Sequence, residues 1–355
     1  MNDMEVYIKP YTLNFTQPAG TSRGVYSTRK SWFVAVKDGN LQGVGECAPL
    51  PNLSCDATDD YEQKLEQSCK ELVEQGVVNH EKLRGLPSIL FGLETALQDL
   101  KAKNHILWPT SFTKGEVGLP INGLIWMGTH QQMLRQIEEK VAKGFKCLKL
   151  KVGAIDFDQE LDLVRRIRQQ FTISDLEIRL DANGGFEPDK ALALLDKLAK
   201  YQIHSIEQPI KAGLVEQMAT IVKQTPIPIA LDEELIGINQ QKTKEELLDS
   251  INPHYIILKP SLHGGLVGST EWIEIAQKQK IGWWITSALE SNVGLNAIAQ
   301  WCASLKTTMP QGLGTGMLFT NNVKSPLYID GQELKYTPDG EWDLADILRE
   351  MKRVE

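Results

Sequence analysis

The first fifty residues alternate between apolar and polar positions. MEVYIKPYTLNF and SWFVAVKDGNLQGVGECAPL both show the pattern, and Asp38-Gly39 inside the second is a hairpin signal. A β-meander is predicted there. The period then changes. DDYEQKLEQSCKELVEQG places apolar residues at helical spacing and ends on Gly76, a stop signal. SILFGLETALQDLKAK predicts a second helix, and residues 104–117 read as a linker.

From Gly118 onward the chain switches to short apolar runs with abrupt polar ends. PINGLIW, KCLKLKV, LEIRLDAN, HSIEQP, PIALDEE, HYIILKP, GWWITSA and MPQGLGT are strand candidates. Helical segments such as THQQMLRQIEEKVAKG, DFDQELDLVRRIRQQ and PDKALALLDKLAKY separate them. Strands alternating with helices in this number and length predict a closed (β/α)₈ barrel. An open doubly wound sheet would want a glycine-rich fingerprint after an early strand, and GVGECAPL lacks it. The expected division is 1–117, an α+β unit; 118–322, the barrel; and 323–355, a tail with two Asp-Gly turns that packs back on the first unit.

Composition narrows the function. A chain of 355 residues that is 42% hydrophobic and 24% charged is that of an ordinary soluble globular protein. A net charge of −8 argues against a nucleic-acid partner. No run approaches the length of a membrane span, and the N-terminus lacks the basic start and apolar core of a signal peptide. Cys47, Cys55, Cys69, Cys147 and Cys302 are scattered with no C-x-x-C, so a disulfide framework or zinc site is not expected, and a reducing cytoplasm is the simplest setting. Oligomeric state is not written in these features.

Charge falls in phase with the strand repeat. Lys149 and Lys151 lie in the second candidate, Asp181 ends the third, Glu207 the fourth, Asp232 the fifth and Lys259 the sixth. Any one of them reads as a helix cap, a solvated loop residue or an edge charge. Repetition at the same position of successive βα units is much harder to explain that way. In a barrel these strand ends surround one mouth, where active sites lie. Three carboxylates held together need a divalent cation, and hard oxygens suit Mg²⁺, or Mn²⁺ in its place. Lysines on flanking strands then oppose each other across the metal. This set fits removal of a proton α to a carboxylate in a small-molecule substrate. A second ammonium two residues away favours the free amine that Lys151 needs as a base, which gives Lys149 a tuning role. Leu148 and Leu150 then face the helices. Asn183 shares the face of Asp181 and is expected to support it. Arg179 is expected deeper, in an internal ion pair. Glu233 is expected to point away from Asp232, and Glu234 to lie beyond the strand end, both in structural or supporting roles. Glu290 and His263 read as structural.

The K-x-K strand, D-A-N, E-Q-P, D-E and the later lysine strand resemble the enolase superfamily, muconate-lactonising subgroup, over nearly the whole chain. The resemblance implies a modified (β/α)₈ barrel with an α+β cap built from the N-terminus and the C-terminal tail. It assigns Lys151 as base, Asp181, Glu207 and Asp232 as metal ligands, and Lys259 as the opposing lysine. GECAPLPNLS, SRGVYSTRKSW, SALESNVGL and GLGTGMLF are further similar to the o-succinylbenzoate synthases of menaquinone biosynthesis. That implies a Mg²⁺-dependent lyase carrying out a syn dehydration of 2-succinyl-6-hydroxy-2,4-cyclohexadiene-1-carboxylate. Lys151 would serve first as base and then as acid, Lys259 would be a cation near the ring, and loops at 18–24 and 49–54 would close over the substrate. Ser287 and Gly314 are candidate substrate contacts. N-acylamino-acid racemases and dipeptide epimerases are the alternatives. The latter resemble a pattern with Asp-x-Asp after the eighth strand, where QGLGTGMLF has no acid.

Overall fold

The computed structural model describes residues 4–21, 24–153 and 155–355. β1 (Met4–Thr21), β2 (Gly24–Asp38) and β3 (Leu41–Cys47) form the antiparallel meander, with Asp38 and Leu41 paired across the predicted hairpin. Its inward positions, among them Val6, Ile8, Val34 and Val36, meet α1 (Tyr61–Gln75) and α2 (Pro87–Ala102) in one core with Leu65, Leu72 and Leu93. Burying each such side chain contributes roughly 1.5–3 kcal/mol. α1 stops where expected: Gly76 takes φ 70° and its N–H donates to the Leu72 carbonyl at 2.8 Å. One expectation changes. The predicted loop at 18–24 is largely strand, since β1 runs to Thr21 and pairs with Gly24 of β2; Ser22 and Arg23 lie outside the described residues. Pro18, which lacks an N–H, is accommodated because the register shifts between Asn14 and Ala19.

The barrel follows. β4 (Leu119–Pro120) and β5 (Gly123–Ile125) come from the first strand candidate. Then α3 (His130–Ala142), β6 (Cys147–Lys151), α4 (Phe157–Gln170), β7 (Glu177–Asp181), α5 (Pro188–Ala199), β8 (Ser205–Glu207), α6 (Val215–Gln224) and β9 (Ile229–Leu231) alternate. α7 (Gln241–Ile251), β10 (Tyr255–Leu258), α8 (Gly265–Lys278), β11 (Gly282–Ile285) and α9 (Asn292–Ser304) complete the circuit. β5 to β11 form one parallel sheet in sequence order. The eighth candidate is not a full strand. Gln311 bridges Ile121 and Gly312 bridges Thr286, so residues 311–312 close the barrel between its two edges. Pro310, Gly312 and Gly314 explain the reduction, because proline offers no donor and glycine weakens a strand. Apolar residues between sheet and helices, including Leu148, Leu150, Ile178, Leu180 and Ile206, form the main core.

The tail serves both units. β12 (Leu327–Asp330) and β13 (Glu333–Tyr336) pair with each other, and β13 pairs with β4. After α10 (Ala345–Leu348), β14 (Lys352–Arg353) pairs with β1. Among the described residues no helix is long and apolar enough to cross a membrane.

Two buried charges join the meander to the barrel. Glu46 of β3, 0% exposed, accepts hydrogen bonds from Ser31 Oγ, from Ser291 N and Oγ, and from Gly294 N at the start of α9. Arg29 of β2, 2% exposed, donates to the carbonyls of Ala48 and Pro49 on one side and of Ala288 and Leu289 on the other. Each is a side chain of one unit satisfying the backbone of the other. Glu46→Ala strands several buried donors and leaves Arg29 with less compensating charge, so it is expected to lower unfolding free energy by about 3 kcal/mol. Chemical denaturation of the variant against the parent checks this, and a change within about 0.5 kcal/mol would refute the docking role.

Candidate active site

The parallel register fixes the site. Lys151 of β6 lies beside Asp181 of β7, and Asp181 beside Glu207 of β8. Glu207 pairs with Ala230 of β9, so Asp232, two residues on, follows at the same mouth. Lys259 comes directly after β10. The alternation of β6 sends Leu148 and Leu150 into the helix-facing core and both lysines inward. All three lysines line one pocket with Asn183 and Glu233.

The charges are buried and matched. Lys149 Nζ hydrogen-bonds Glu207 and lies 2.9 Å from Asp181 Oδ2. Lys151 Nζ lies 2.7 Å from Asp181 Oδ2 and 2.8 Å from Asn183 Oδ1. Lys259 Nζ bonds Asp232. Burial works against the Lys149 ammonium, but Asp181, Glu207 and Asp232 outweigh it and hold its pKa above the ordinary lysine value. Lys259 is raised likewise, with burial opposed by Asp232 and Glu207. Burial would raise Asp181, yet Lys149 and Lys151 keep it far below the usual carboxylate range. Asp232, where Lys259 offsets burial, is lowered to about 2. Glu207 goes the other way: burial and then repulsion from Asp181 push it well above its ordinary value.

Among the described residues, no three Asp, Glu, His or Cys groups are clustered to grip a metal ion as they stand. Lysine ammoniums take the carboxylate oxygens instead. The chemistry of the donor set nevertheless fits a hard cation. Asp181, Glu207 and Asp232 are oxygen donors at most 2% exposed, and Glu207 Oε1 and Asp232 Oδ1 are buried with no hydrogen-bond partner. The repulsion acting on Glu207 is what a cation among the three would relieve.

The supporting residues are informative. Arg179 makes the internal ion pair expected of it, with Nε 2.6 Å from Glu177 Oε1, and stacks on Trp284. His263, 1% exposed, accepts the Lys259 backbone N–H through Nδ1 at 2.9 Å, and burial pushes its pKa down to about 3. Glu290 organises its loop, accepting from Ser287 Oγ and Ala288 N at 2.7 Å. Glu233 corrects an expectation: it faces the pocket and accepts Asn183 Nδ2 at 2.9 Å. β9 ends at Leu231 and residues Glu233–Leu235 form a 3₁₀ turn, so strand alternation does not reach position 233. Glu234 bonds Gly213 N and Gln208 Nε2.

Of the two candidate substrate contacts, Ser287 lines the pocket, but its hydroxyl donates to Glu290 and its N–H to Gly312 O. It offers a ligand surface and no spare donor. Gly314 also lines the pocket, and a Cβ there would meet Ile121 Cδ1 at 3.4 Å, an ordinary contact. The protein's own packing therefore does not demand glycine at 314. Sequence reasoning missed Gln208, wholly buried at φ 42°, whose Oε1 accepts the N–H groups of Asp232 and Glu234. The segment 49–54, expected to close over the substrate, lines the pocket with Leu50 and Leu53, beside Tyr26 and Leu289, which sequence reasoning did not single out. Tyr26 lies within SRGVYSTRKSW and Leu289 within SALESNVGL, two of the segments that carry the family resemblance.

Comparison with known proteins matches this architecture. Residues 132–336 match the family described as enolase C-terminal domain-like, and residues 1–100 match the MenC N-terminal domain. An o-succinylbenzoate synthase of Desulfotalea psychrophila is 44% identical, over 93% of this chain and 98% of its own. The crystal structure of MenC from that organism superposes with a TM-score of 0.82 at 40% identity, covering 94% of this chain and 99% of that one. A dipeptide epimerase from Enterococcus faecalis, solved with Mg and L-Leu-L-Tyr, shares the fold at TM-score 0.81 and 21% identity, covering 96% and 98% of the two chains. From its meander cap to its barrel lysines, this chain belongs to the enolase superfamily, in the MenC branch.

Proposed function

We propose that this chain is an o-succinylbenzoate synthase, dehydrating 2-succinyl-6-hydroxy-2,4-cyclohexadiene-1-carboxylate. The observation that carries this reading is one pocket in which Lys151 and Lys259, from opposite flanks of an acidic strand set, meet a closing segment with no charge. Gly312, Gly314 and Thr315 line that segment. A pocket built for the ammonium of a dipeptide would need an acid there, so the neutral segment favours the dehydratase over an epimerase. The identity to the Desulfotalea enzyme supports the same choice.

Asp181, Glu207 and Asp232 are the proposed ligands of Mg²⁺, with Mn²⁺ as substitute. When bound, the ion supplies Lewis-acid polarisation of the substrate carboxylate. Lys151, as the free amine, takes the α-proton. Asn183 and Asp181 hold its Nζ from two sides, which fixes its direction of attack. The electron pair left on the α-carbon forms the new ring double bond as the neighbouring C–O bond breaks. Lys151, now an ammonium, returns its proton to the departing hydroxide on the same face, so water leaves and the ring becomes aromatic. Lys259 stays charged, consistent with its raised pKa, and stabilises negative charge developing opposite Lys151. Lys149 is likewise a permanent cation, and it balances Asp181 and Glu207 beneath the base. Asn183 is in turn held by Glu233. The roof of Tyr26, Leu50 and Leu53 keeps bulk water from the base.

Adding the cyclohexadiene acid with Mg²⁺ is expected to produce aromatic absorbance. No turnover, combined with α-proton exchange of N-succinylamino acids in D₂O, would overturn the dehydratase in favour of a racemase. Lys151→Ala is expected to lower turnover by about 10³-fold while Mg²⁺ binding measured by calorimetry persists; near-parental turnover would remove Lys151 from the base role. Asp181→Ala, Glu207→Ala and Asp232→Ala should each weaken Mg²⁺ binding at least about tenfold in the same titration. Unchanged affinity in any of the three would take that residue out of the ligand set.

A further inference from the structure

The ends of β8 and β9, which present Glu207 and Asp232, are joined by a side chain that does not line the pocket. Gln208, 0% exposed, follows Glu207 and takes φ 42°. That left-handed backbone is sparsely populated for a residue other than glycine, and it persists where surrounding bonds over-determine it. Gln208 N donates to the Ala230 carbonyl at 2.9 Å, as a regular parallel ladder requires. The next rung of that ladder would run from Asp232 N to the Gln208 carbonyl. The left-handed turn points this carbonyl the other way, where it accepts Gly184 N at 2.7 Å. The Gln208 side chain supplies the missing rung instead. Its Oε1 accepts Asp232 N at 3.3 Å and Glu234 N at 3.2 Å.

The amide has one workable orientation. Nε2 donates to Ile210 O at 3.1 Å and to Glu234 Oε2 at 2.9 Å, and Glu234 Oε1 accepts Gly213 N at 2.8 Å. A flip would set the NH₂ group against two N–H donors and the oxygen against two acceptors. Gln208 thereby fastens the loops after three successive strands. Its carbonyl holds the loop after β7, which carries Asn183. Its amide oxygen holds the turn after β9, which carries Asp232 and Glu233. Its amide nitrogen holds the loop after β8. Glu233 accepts Asn183 Nδ2, and Asn183 Oδ1 accepts Lys151 Nζ. The spacing that Gln208 sets between the first two loops is therefore the spacing across which Lys151 is aimed. Repulsion among Asp181, Glu207 and Asp232 pushes these strand ends apart, and the side-chain rung opposes it where the backbone ladder stops.

We infer that Gln208 is a positioning residue. By standing in for its own carbonyl it sets the Asp232 carboxylate relative to Glu207 and, through the bond between Glu233 and Asn183, the direction of Lys151. This rests on the dehydratase reading and its proposed metal ligands. The test compares the parent with Gln208→Met, which keeps the length of the side chain and removes the amide. In calorimetric titration the variant is expected to bind Mg²⁺ about tenfold more weakly at unchanged stoichiometry. At saturating Mg²⁺ its kcat on the cyclohexadiene acid is expected to fall about tenfold, with KM within about twofold, because Gln208 does not line the pocket. Glu234→Gln leaves Gln208 in place but turns one accepting oxygen into an N–H group, and is expected to weaken Mg²⁺ about threefold. Combining the two substitutions is expected to add little to Gln208→Met alone, since Glu234 then has no amide to hold. Parental Mg²⁺ affinity in either single variant overturns the positioning role. So does a loss confined to the number of binding sites, the mark of a partly unfolded chain, or a fully additive loss in the double variant. A parent that turns over the acid beside variants that match it leaves the dehydratase standing and removes only this role. A parent that binds Mg²⁺ without turning over the acid, together with weaker binding by Gln208→Met, upholds the placement of Asp232 and overturns the dehydratase.

Discussion

Three carboxylates at the ends of adjacent parallel strands repel one another, and the barrel mouth is arranged around that repulsion. Register makes it unavoidable, since Asp181 and Glu207 are direct neighbours in the ladder. Burial removes the water that would otherwise screen them. The chain answers with ammoniums on the flanking strands. Lys149 and Lys151 reach Asp181, and Lys259 reaches Asp232. Glu207 remains the least compensated, with its pKa driven upward and one oxygen unpartnered. The same residual negative field that destabilises the mouth is one that a divalent cation, as proposed above, would relieve. Structure and chemistry thus draw on one electrostatic imbalance.

The cap closes this field against solvent without adding charge to the pocket. It contributes Tyr26, Leu50 and Leu53 to the roof, all with apolar bodies. Its own buried charges, Arg29 and Glu46, are spent on backbone and serine groups at the junction. Arg29 holds the carbonyls of Ala48 and Pro49 together with those of Ala288 and Leu289, so two loops that line the pocket from different units are tied to one guanidinium. A guanidinium suits this task because its planar fork offers several donors at fixed angles. The result is a low-dielectric chamber in which a few charged groups face one another at close range.

Much of this was legible in the chain. Strand candidates with in-phase charges revealed the barrel, and the two-residue period put both lysines of CLKLKV on the inner face. Glu290, His263 and Arg179 could be read as structural from their type and place. Other readings changed for local physical reasons. Alternation pointed Glu233 away from Asp232, but β9 ends two residues earlier and a 3₁₀ turn follows, so its side chain lines the pocket, where it has the supporting role expected of it by holding Asn183. Ser287, a candidate contact, does line the pocket, with its hydroxyl engaged by Glu290 three residues later. The eighth strand had the right position but too little donor capacity, and only Gln311 and Gly312 bridge to their neighbours.

The amino-acid sequence by itself determined the order of elements, the face each lysine and carboxylate takes on its strand, and the reaction class these groups can serve, because period and spacing are local properties of the backbone. It could not determine which polar groups would be satisfied within the protein and by which neighbours. Gln208, Arg29 and Glu46 are conventional polar residues until the fold surrounds them with backbone donors and acceptors. Asn122 lies well over a hundred residues before Thr286 and Thr315 along the chain, and the closure of the barrel brings all three to one pocket. Hydrogen-bond satisfaction is a property of three-dimensional neighbours, so only the tertiary structure decided it.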